Sequence, residues 1–395
     1  MKVLHISTSD SGGAGGCARR INAALFDEGV DSRMLVYRKK SKDDRVVRYS
    51  HLGYRIERLM KDLGFKTSDM KDISALKAWR PNVYTLPVSK HDLSRHPLVK
   101  EADIIHLHWI NNFVDYPSFF KNVDKPIIWT LHDENLFHGV AHYDDPAIKN
   151  EAIEIKFRKL KEKCLSVLDN LHIVFLSEYM KRQYVDEPVI TSASKYIINN
   201  MVDCSVFAGI DKNVARERFN IPSDVKVISF VADNISDNRK GLTNLLEAIK
   251  KTGRDDIVVL AVGANRDGTD FDGVVQTGRL SGAGEMSAAY SAADLFVMPS
   301  LAEAFAQSPI EAMACGVPVV MTPISGSDEL IKDYNGIRCA DMSIEALSVA
   351  INEALSRNYD PKAIREDVES RFSPYAIASR YIEVYNHALT ACKSK

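Results

Sequence analysis

Short runs of β-branched and aliphatic residues alternate along this chain with longer stretches in which apolar residues recur every three or four positions. In the first half the runs are residues 3–7, 32–37, 103–108, 126–131, 171–176 and 195–199, and the periodic stretches include 18–28 and 153–167. Continuous or alternating apolar runs predict strands, and a period near 3.6 predicts helices. Strands that alternate with helices build βαβ units, and hence a mostly parallel sheet covered on both faces. The near-continuous apolar character of IIHLHW and PIIWTL suits strands buried on both sides.

The pattern restarts in the second half. Residues 226–231, 257–262, 273–276, 295–299 and 318–321 read as strands, with helices at 241–251, 286–292 and 308–314. Between the halves, 202–224 has weaker periodicity and Asp, Gly, Asn and Pro punctuation, which places a hinge near 203–210. The expected division is a first α/β domain over 1–205 and a second over 206–374, followed by an amphipathic tail helix beginning at 375.

Composition narrows the class without naming it. At 395 residues with 45% hydrophobic content, the chain is long enough for two buried cores. A formal net charge of −2 gives no global field for nucleic acid or an anionic membrane. The six cysteines show no CxxC spacing and read as reduced thiols in a cytoplasmic protein. The first residues lack a signal-peptide pattern, and no run of about 18 apolar residues predicts a membrane span. One stretch departs from the balance: residues 38–80 hold thirteen Lys/Arg against six Asp/Glu. It reads as a solvated helical insertion or as a surface for anionic lipid or an anionic acceptor. Ile56, Leu59, Met60 and Leu63 lie at helical spacing within it.

Candidate chemistry gathers where strands end. The first strand runs into Ser9-Asp10-Ser11-Gly12-Gly13-Ala14-Gly15-Gly16, with a helix expected from about Cys17. Backbone amides at a helix N-terminus, including that of Gly13, suit a phosphate. No Lys-Ser/Thr follows, so this is not the NTPase P-loop, and a ligand-free tight turn remains open. His106 and His108 share one strand face, and His132 and Asp133 end the next strand. They suit a metal centre, buried core histidines, or, for His132, a role facing substrate.

In the second half, Arg239-Lys240-Gly241 is delivered between a strand and a helix, well placed to neutralise a diphosphate. Pro299-Ser300 ends another strand, its loop carries Glu303, and the helix that follows carries Glu311, expected in its first turn. Two carboxylates beside helix N-terminal amides suit a ligand that joins phosphates to vicinal hydroxyls.

Taken in order and spacing, Arg239-Lys240-Gly241, Pro299-Ser300, Glu303-x7-Glu311, Glu311-Ala-Met-Ala-Cys-Gly-Val-Pro, the Gly12-Gly13 turn, Trp129-Thr-Leu-His132-Asp133 and Ser325-Gly326-Ser-Asp328-Glu329 resemble the retaining, nucleotide-sugar-dependent glycosyltransferases of family GT4. The resemblance implies an α/β GT-B fold: two Rossmann-like domains with parallel sheets facing across a cleft, and the tail helix, 375–395, packing back on the first. It implies that Arg239 and Lys240 hold the diphosphate, with Gly13 facing it. Glu311 would bind the ribose and Glu303 the sugar hydroxyls, beside the backbone of Ala306, Gln307 and Ser308. His132 would stand at the reacting centre.

The implied activity is transfer of a sugar from a UDP-, GDP- or ADP-sugar to a saccharide or lipid-linked acceptor, with retention, in surface polysaccharide assembly. No cofactor or metal and no nucleic-acid partner is expected, and the setting is cytoplasmic, at most peripheral to the membrane. The competing readings are a same-fold sugar-nucleotide epimerase or phosphorylase and a non-catalytic nucleotide- or glycan-binding protein. The chain departs from the family pattern at His138-Gly139-Val140-Ala141-His142-Tyr143, at Asn200-Met201 and at Phe305-Ala306.

Overall fold

The computed structural model describes residues 1–49, 68–79, 82–280 and 282–393. These divide into two compact units. The first comprises Met1–Leu176, Met180–Ile198 and Ala378–Lys395, and the second comprises Ser177–Tyr179 and Asn199–Ile377. The chain therefore changes unit at 198/199, ahead of the hinge expected near 203–210.

The first unit is built on seven parallel strands: β1 (Lys2–Ser9), β2 (Asp31–Arg38), β3 (Val46–Arg48), β4 (Ile104–Leu107), β5 (Ile127–Thr130), β6 (Leu171–Phe175) and β7 (Ser194–Ile197). Their order is β3-β2-β1-β4-β5-β6-β7. Every residue of β4 and β5 is buried, which is why neither strand alternates in sequence. The helix Gly12–Asp27 turns Ala18, Ile21 and Leu25 inward, a helical stripe set by spacings of three and four.

The second unit repeats the arrangement with β8 (Lys226–Asn234), β9 (Ile257–Ala264), β10 (Val274–Gly278), β11 (Leu295–Met298), β12 (Val319–Met321) and β13 (Gly336–Arg338), in the order β10-β9-β8-β11-β12-β13. Leu242 and Leu245 of the helix Leu242–Thr252, with Leu347 and Ile351 of the helix Ile344–Ser356, close one face over Ile228, Val259 and Val297.

Two expectations need correction. Residues 38–80 are not a wholly helical insertion: Val46–Arg48 is the edge strand of the first sheet, with Val46 buried against β2. Three residues among basic neighbours carry too little periodicity to be read as a strand. The same stretch does form a helix at Ser68–Trp79, whose Ile73 and Leu76 pack with Phe157. Ile56, Leu59, Met60 and Leu63 lie outside the described residues. The glycine run is not a loop before a helix but the first turn of Gly12–Asp27 itself. The small edge strand β13 gave no sequence signal.

The last helix, Pro374–Lys393, enters the first unit from Ala378 onward. There Tyr381 and Tyr385 are fully buried and their hydroxyls meet Thr130 at 3.0 Å and His106 at 2.6 Å. No helix among the described residues is long and apolar enough to cross a membrane, and all six cysteines are free thiols.

Candidate active site

Both sheets have a strand order that reverses beside their first strand, between β1 and β4 and between β8 and β11. Connections leave such a point toward opposite faces, and the crevice beyond the strand ends is where parallel α/β sheets receive ligands. The Gly12-Gly13 turn and His106/His108 fall at the first point and Arg239-Lys240 and Glu303 at the second, each within its own unit, while His132 lies one strand further on, past β5.

In the second unit, β8 leads into the turn Asn238–Lys240, opened by Asp237, whose carboxylate accepts from the Arg239 amide at 2.9 Å. Gly241 then takes φ +80°, and a Cβ there would stand 2.3 Å from the Pro299 carbonyl oxygen. Only glycine satisfies both the left-handed backbone and this close approach. The packing sets the Arg-Lys turn against the loop that follows β11. Leu301 donates its amide to the Arg239 carbonyl at 2.8 Å, and Arg239 Nη1 donates to the Ala302 carbonyl at 2.8 Å. Glu303 Oε1 receives Arg239 Nη1 at 3.3 Å and is ion-paired with Lys240 Nζ.

The next helix is Gln307–Ala314, with Ala306 at its cap. No side chain caps its first amides, and the chain thus presents the positive end of a helix dipole beside the cluster's loop. Gln307 Nε2 is anchored on the Met201 carbonyl at 2.8 Å. Because the helix begins at Gln307, Glu311 lies in its second turn, not the first as expected. Its Oε2 accepts from the hydroxyl of Tyr290 at 2.9 Å. Burial, reinforced by the Glu311 charge, pushes the Tyr290 phenol well above its usual value, so it stays a donor. Phe305 and Ser325-Gly326 close the loop: a Cβ on Gly326 would meet the Phe305 ring at 2.8 Å.

In the first unit, β1 ends against the helix Gly12–Asp27. Gly15 lies so near Ser9 that a Cβ would stand 2.3 Å from its carbonyl oxygen, whereas a Cβ on Gly13 would meet nothing within 4 Å. Ser11 leaves the helix without a side-chain cap. The neighbouring Asp10 is engaged elsewhere and accepts the Lys40 and Ser41 amides at 2.8 Å each. Burial pushes its carboxyl up, but the hydrogen bonds from Ser41 and Lys40 outweigh this and hold it below its ordinary value.

Beside this turn the histidines form a connected set. His5 of β1 pairs in register with His106 of β4. His5 Nδ1 lies 2.9 Å from His108 Nε2, and His108 Nδ1 lies 3.0 Å from His132 Nε2. His106 is held separately, by Thr130 at 2.8 Å and Tyr385 at 2.6 Å. Burial lowers His132 to about 4 and His5 to about 3, and takes His106 and His108 well below their usual value. All four are neutral imidazoles at neutral pH.

Asp133, next to His132 in sequence, serves other partners. Its Oδ2 contacts His142 Nδ1 at 2.5 Å and Trp109 Nε1 at 2.9 Å. Asp133 is thus engaged apart from the His5–His108–His132 contacts. The trio His5, His106 and His108 has ring nitrogens within 4.8 Å of one another, but both nitrogens of His106 and of His108 already have hydrogen-bonding partners. Sequence reasoning missed His5, Tyr290, Thr130, Tyr381 and Tyr385. Only His5 left a trace, as a lone polar ring inside the apolar first strand.

Two-unit architectures with these strand orders define the GT-B class of α/β proteins. Residues 225–357, within the second unit, match the family model described as glycosyl transferases group 1. The chain is 24% identical over 313 residues to an uncharacterised glycosyltransferase of Methanocaldococcus jannaschii, covering 74% of this chain and 77% of that one. It is 24% identical over 323 residues to the D-inositol 3-phosphate glycosyltransferase of Thermobispora bispora, covering 73% and 71%. Among solved structures, sucrose-phosphate synthase of Thermosynechococcus elongatus superposes with a TM-score of 0.67 at 19% identity, over 99% of this chain and 100% of that one. HepE of Anabaena, solved with UDP and glucose, superposes with a TM-score of 0.62 at 16% identity, over 98% and 100%.

Proposed function

We propose that this protein is a glycosyltransferase that moves a hexose from a nucleoside diphosphate sugar to a hydroxyl acceptor with retention of anomeric configuration. The observation that carries the reading is the Arg239–Lys240–Glu303 cluster at the strand-order reversal of the second sheet. It combines fixed cations for a leaving diphosphate with a carboxylate able to take sugar hydroxyls. The match of residues 225–357 to glycosyl transferases group 1 supports it, as do the complexes of the similar HepE of Anabaena with UDP and glucose and with UDP-glucose.

In this reading the bond between the anomeric carbon and the phosphate oxygen breaks, and charge develops on the diphosphate. Arg239, Lys240 and the amides at Gln307 and Ser308 stabilise that charge. The acceptor oxygen attacks the same face of an oxocarbenium-like centre, and its proton passes to the departing phosphate. Glu303 and His132 orient the sugar, Glu311 takes the ribose hydroxyls, and Gly13 lets the diphosphate approach the first helix. Two cations supply the charge that a divalent metal would otherwise bring, so transfer proceeds in the presence of a chelator. Surface polysaccharide assembly on a saccharide or lipid-linked acceptor, at the cytoplasmic membrane face, is the setting we favour.

A thermal-shift screen with UDP, GDP, ADP and their sugars tests the donor, since a ligand that binds only the folded chain raises its midpoint. Nucleoside diphosphate release that depends on added acceptor then tests transfer. A flat thermal response to every nucleotide, or turnover without any acceptor, overturns the reading.

A further inference from the structure

His5, His108 and His132 form a hydrogen-bonded file in which each of the two links joins one Nδ1 to one Nε2. A neutral imidazole carries a single N–H, so each link holds one proton and the file runs in one direction throughout. In one direction His5 Nδ1–H donates to His108, His108 Nδ1–H donates to His132 Nε2, and His132 carries its own proton on Nδ1. In the other, His132 Nε2–H donates inward, and the last proton falls on His5 Nε2.

The buried end decides between them. His5 is fully buried and its Nε2 has no hydrogen-bond partner. A buried N–H without an acceptor is among the rarest and costliest polar defects, whereas a bare acceptor is better tolerated. The file therefore runs outward, from His5 to His132. His132, partly exposed, is the end that reaches the surface, and its Nδ1 is the nitrogen left outside the file. The other groups against the file do not reverse it. His106 packs on His108 at 4.2 Å between ring centres but bonds to Thr130 and Tyr385, and Asp133 bonds to Trp109 and His142.

We propose that His5 and His108 are positioning residues that lock His132 in the Nδ1–H tautomer, so that its ring offers the transferred sugar a hydrogen-bond donor rather than an acceptor. This rests on the glycosyltransferase reading for its substrate, a hydroxyl or ring oxygen of the donor sugar. It also assigns a chemical limit. A ring that presents N–H has no lone pair there to deprotonate the acceptor, which leaves that proton to the departing phosphate. The burial that keeps all three rings uncharged is what makes the tautomer, and not the charge, the controlled variable.

Long-range 1H–15N correlation spectra of the full chain labelled with 15N-histidine read the tautomer directly, with the His132 signals assigned by their loss in His132→Gln. The expected result is a single Nδ1–H tautomer at His132 and at His108 from about pH 6.5 to 8. An Nε2–H ring, an imidazolium or averaging between tautomers at His132 overturns the proposal. In His108→Leu the Nδ1–H population at His132 falls, and kcat drops about tenfold while the KM for donor stays within about twofold. A His132 tautomer unchanged in that variant removes His108 from the role. The spectra need no substrate. Absence of sugar transfer by the wild-type chain therefore overturns the enzymatic reading while leaving the tautomer assignment to stand or fall separately.

Discussion

Lys240 Nζ is ion-paired with Glu303 Oε1, the same oxygen that Arg239 Nη1 reaches at 3.3 Å. The two cations proposed to receive a diphosphate are thus already turned toward a carboxylate proposed to receive the sugar. With Glu303 11% exposed at its side chain and Lys240 22% exposed, the pair is shielded enough for this competition to matter.

Replacing Glu303 by Gln removes the negative charge that competes for the cations. Nucleoside diphosphate affinity, measured by calorimetry, is expected to rise about threefold to tenfold, the effect of roughly 1 kcal/mol of relieved competition. Acceptor-dependent transfer is expected to fall by about two orders of magnitude, because the orienting carboxylate is lost. Equal losses in binding and transfer would show that Glu303 merely holds the loop together.

Lys240→Ala takes away a cation aimed at charge that develops only as the leaving group departs. Loss of one such preorganised group costs about 10²–10³ in kcat. The test is steady-state release of nucleoside diphosphate, with thermal unfolding as the control for the Glu303 carboxylate, which then keeps only Arg239 as its cation. A variant that keeps wild-type kcat would exclude Lys240 from stabilising the leaving group.

The same substitution at two glycines is expected to do opposite things. Gly241→Ala forces a side chain into φ +80° and within 2.3 Å of the Pro299 carbonyl oxygen. It should destabilise the second unit by about 1–3 kcal/mol or more, seen as a lower melting temperature. Gly13→Ala meets nothing within 4 Å and keeps an ordinary helical backbone. It should leave melting within about 1 °C while weakening donor binding, since the methyl group occupies the approach to the helix amides.

The buried histidines predict how stability responds to acid. His5 at about 3 and His132 at about 4 lie below the usual value of 6.5, chiefly through burial. Between 6.5 and those values the unfolded chain binds protons that the folded chain does not. Their contribution is therefore complete above 6.5 and is lost as the pH falls, at up to about 1.4 kcal/mol per pH unit for each ring. Trp79, Trp109 and Trp129 all lie in the first unit, so their fluorescence in urea follows that unit. Its midpoint should drop between about pH 7 and 5, and a flat midpoint would mean that these rings are not held neutral.

Much of the plan was legible in the order of residues. The alternation of strands and helices gave two parallel sheets, because a strand covered on both faces must be apolar throughout, as β4 and β5 are. Arg239-Lys240 and Glu303 could each be placed just past a strand's carboxyl end, and the resemblance joined them; the reversing strand order that sets them at one crevice belongs to the tertiary structure. Edge strands were less visible. Val46–Arg48 and Gly336–Arg338 are three residues each, too short for a period to register against their flanks.

The class of architecture and the kinds of group at the strand ends follow from local periodicity and from glycines at sharp turns, and so are written in the order of residues. Which group touches which is set by packing between remote segments. His5 and His108 are about a hundred residues apart, yet adjacent parallel strands bring a nitrogen of each ring to 2.9 Å from the other. Asp133 adjoins His132 in the chain but turns to Trp109 and His142. Glu303 closes on Lys240 because Gly241 lets two backbones meet at Pro299. Proton direction, charge pairing and tautomer are set by such distances of about 3 Å between residues remote in sequence, and no local pattern of side chains encodes them.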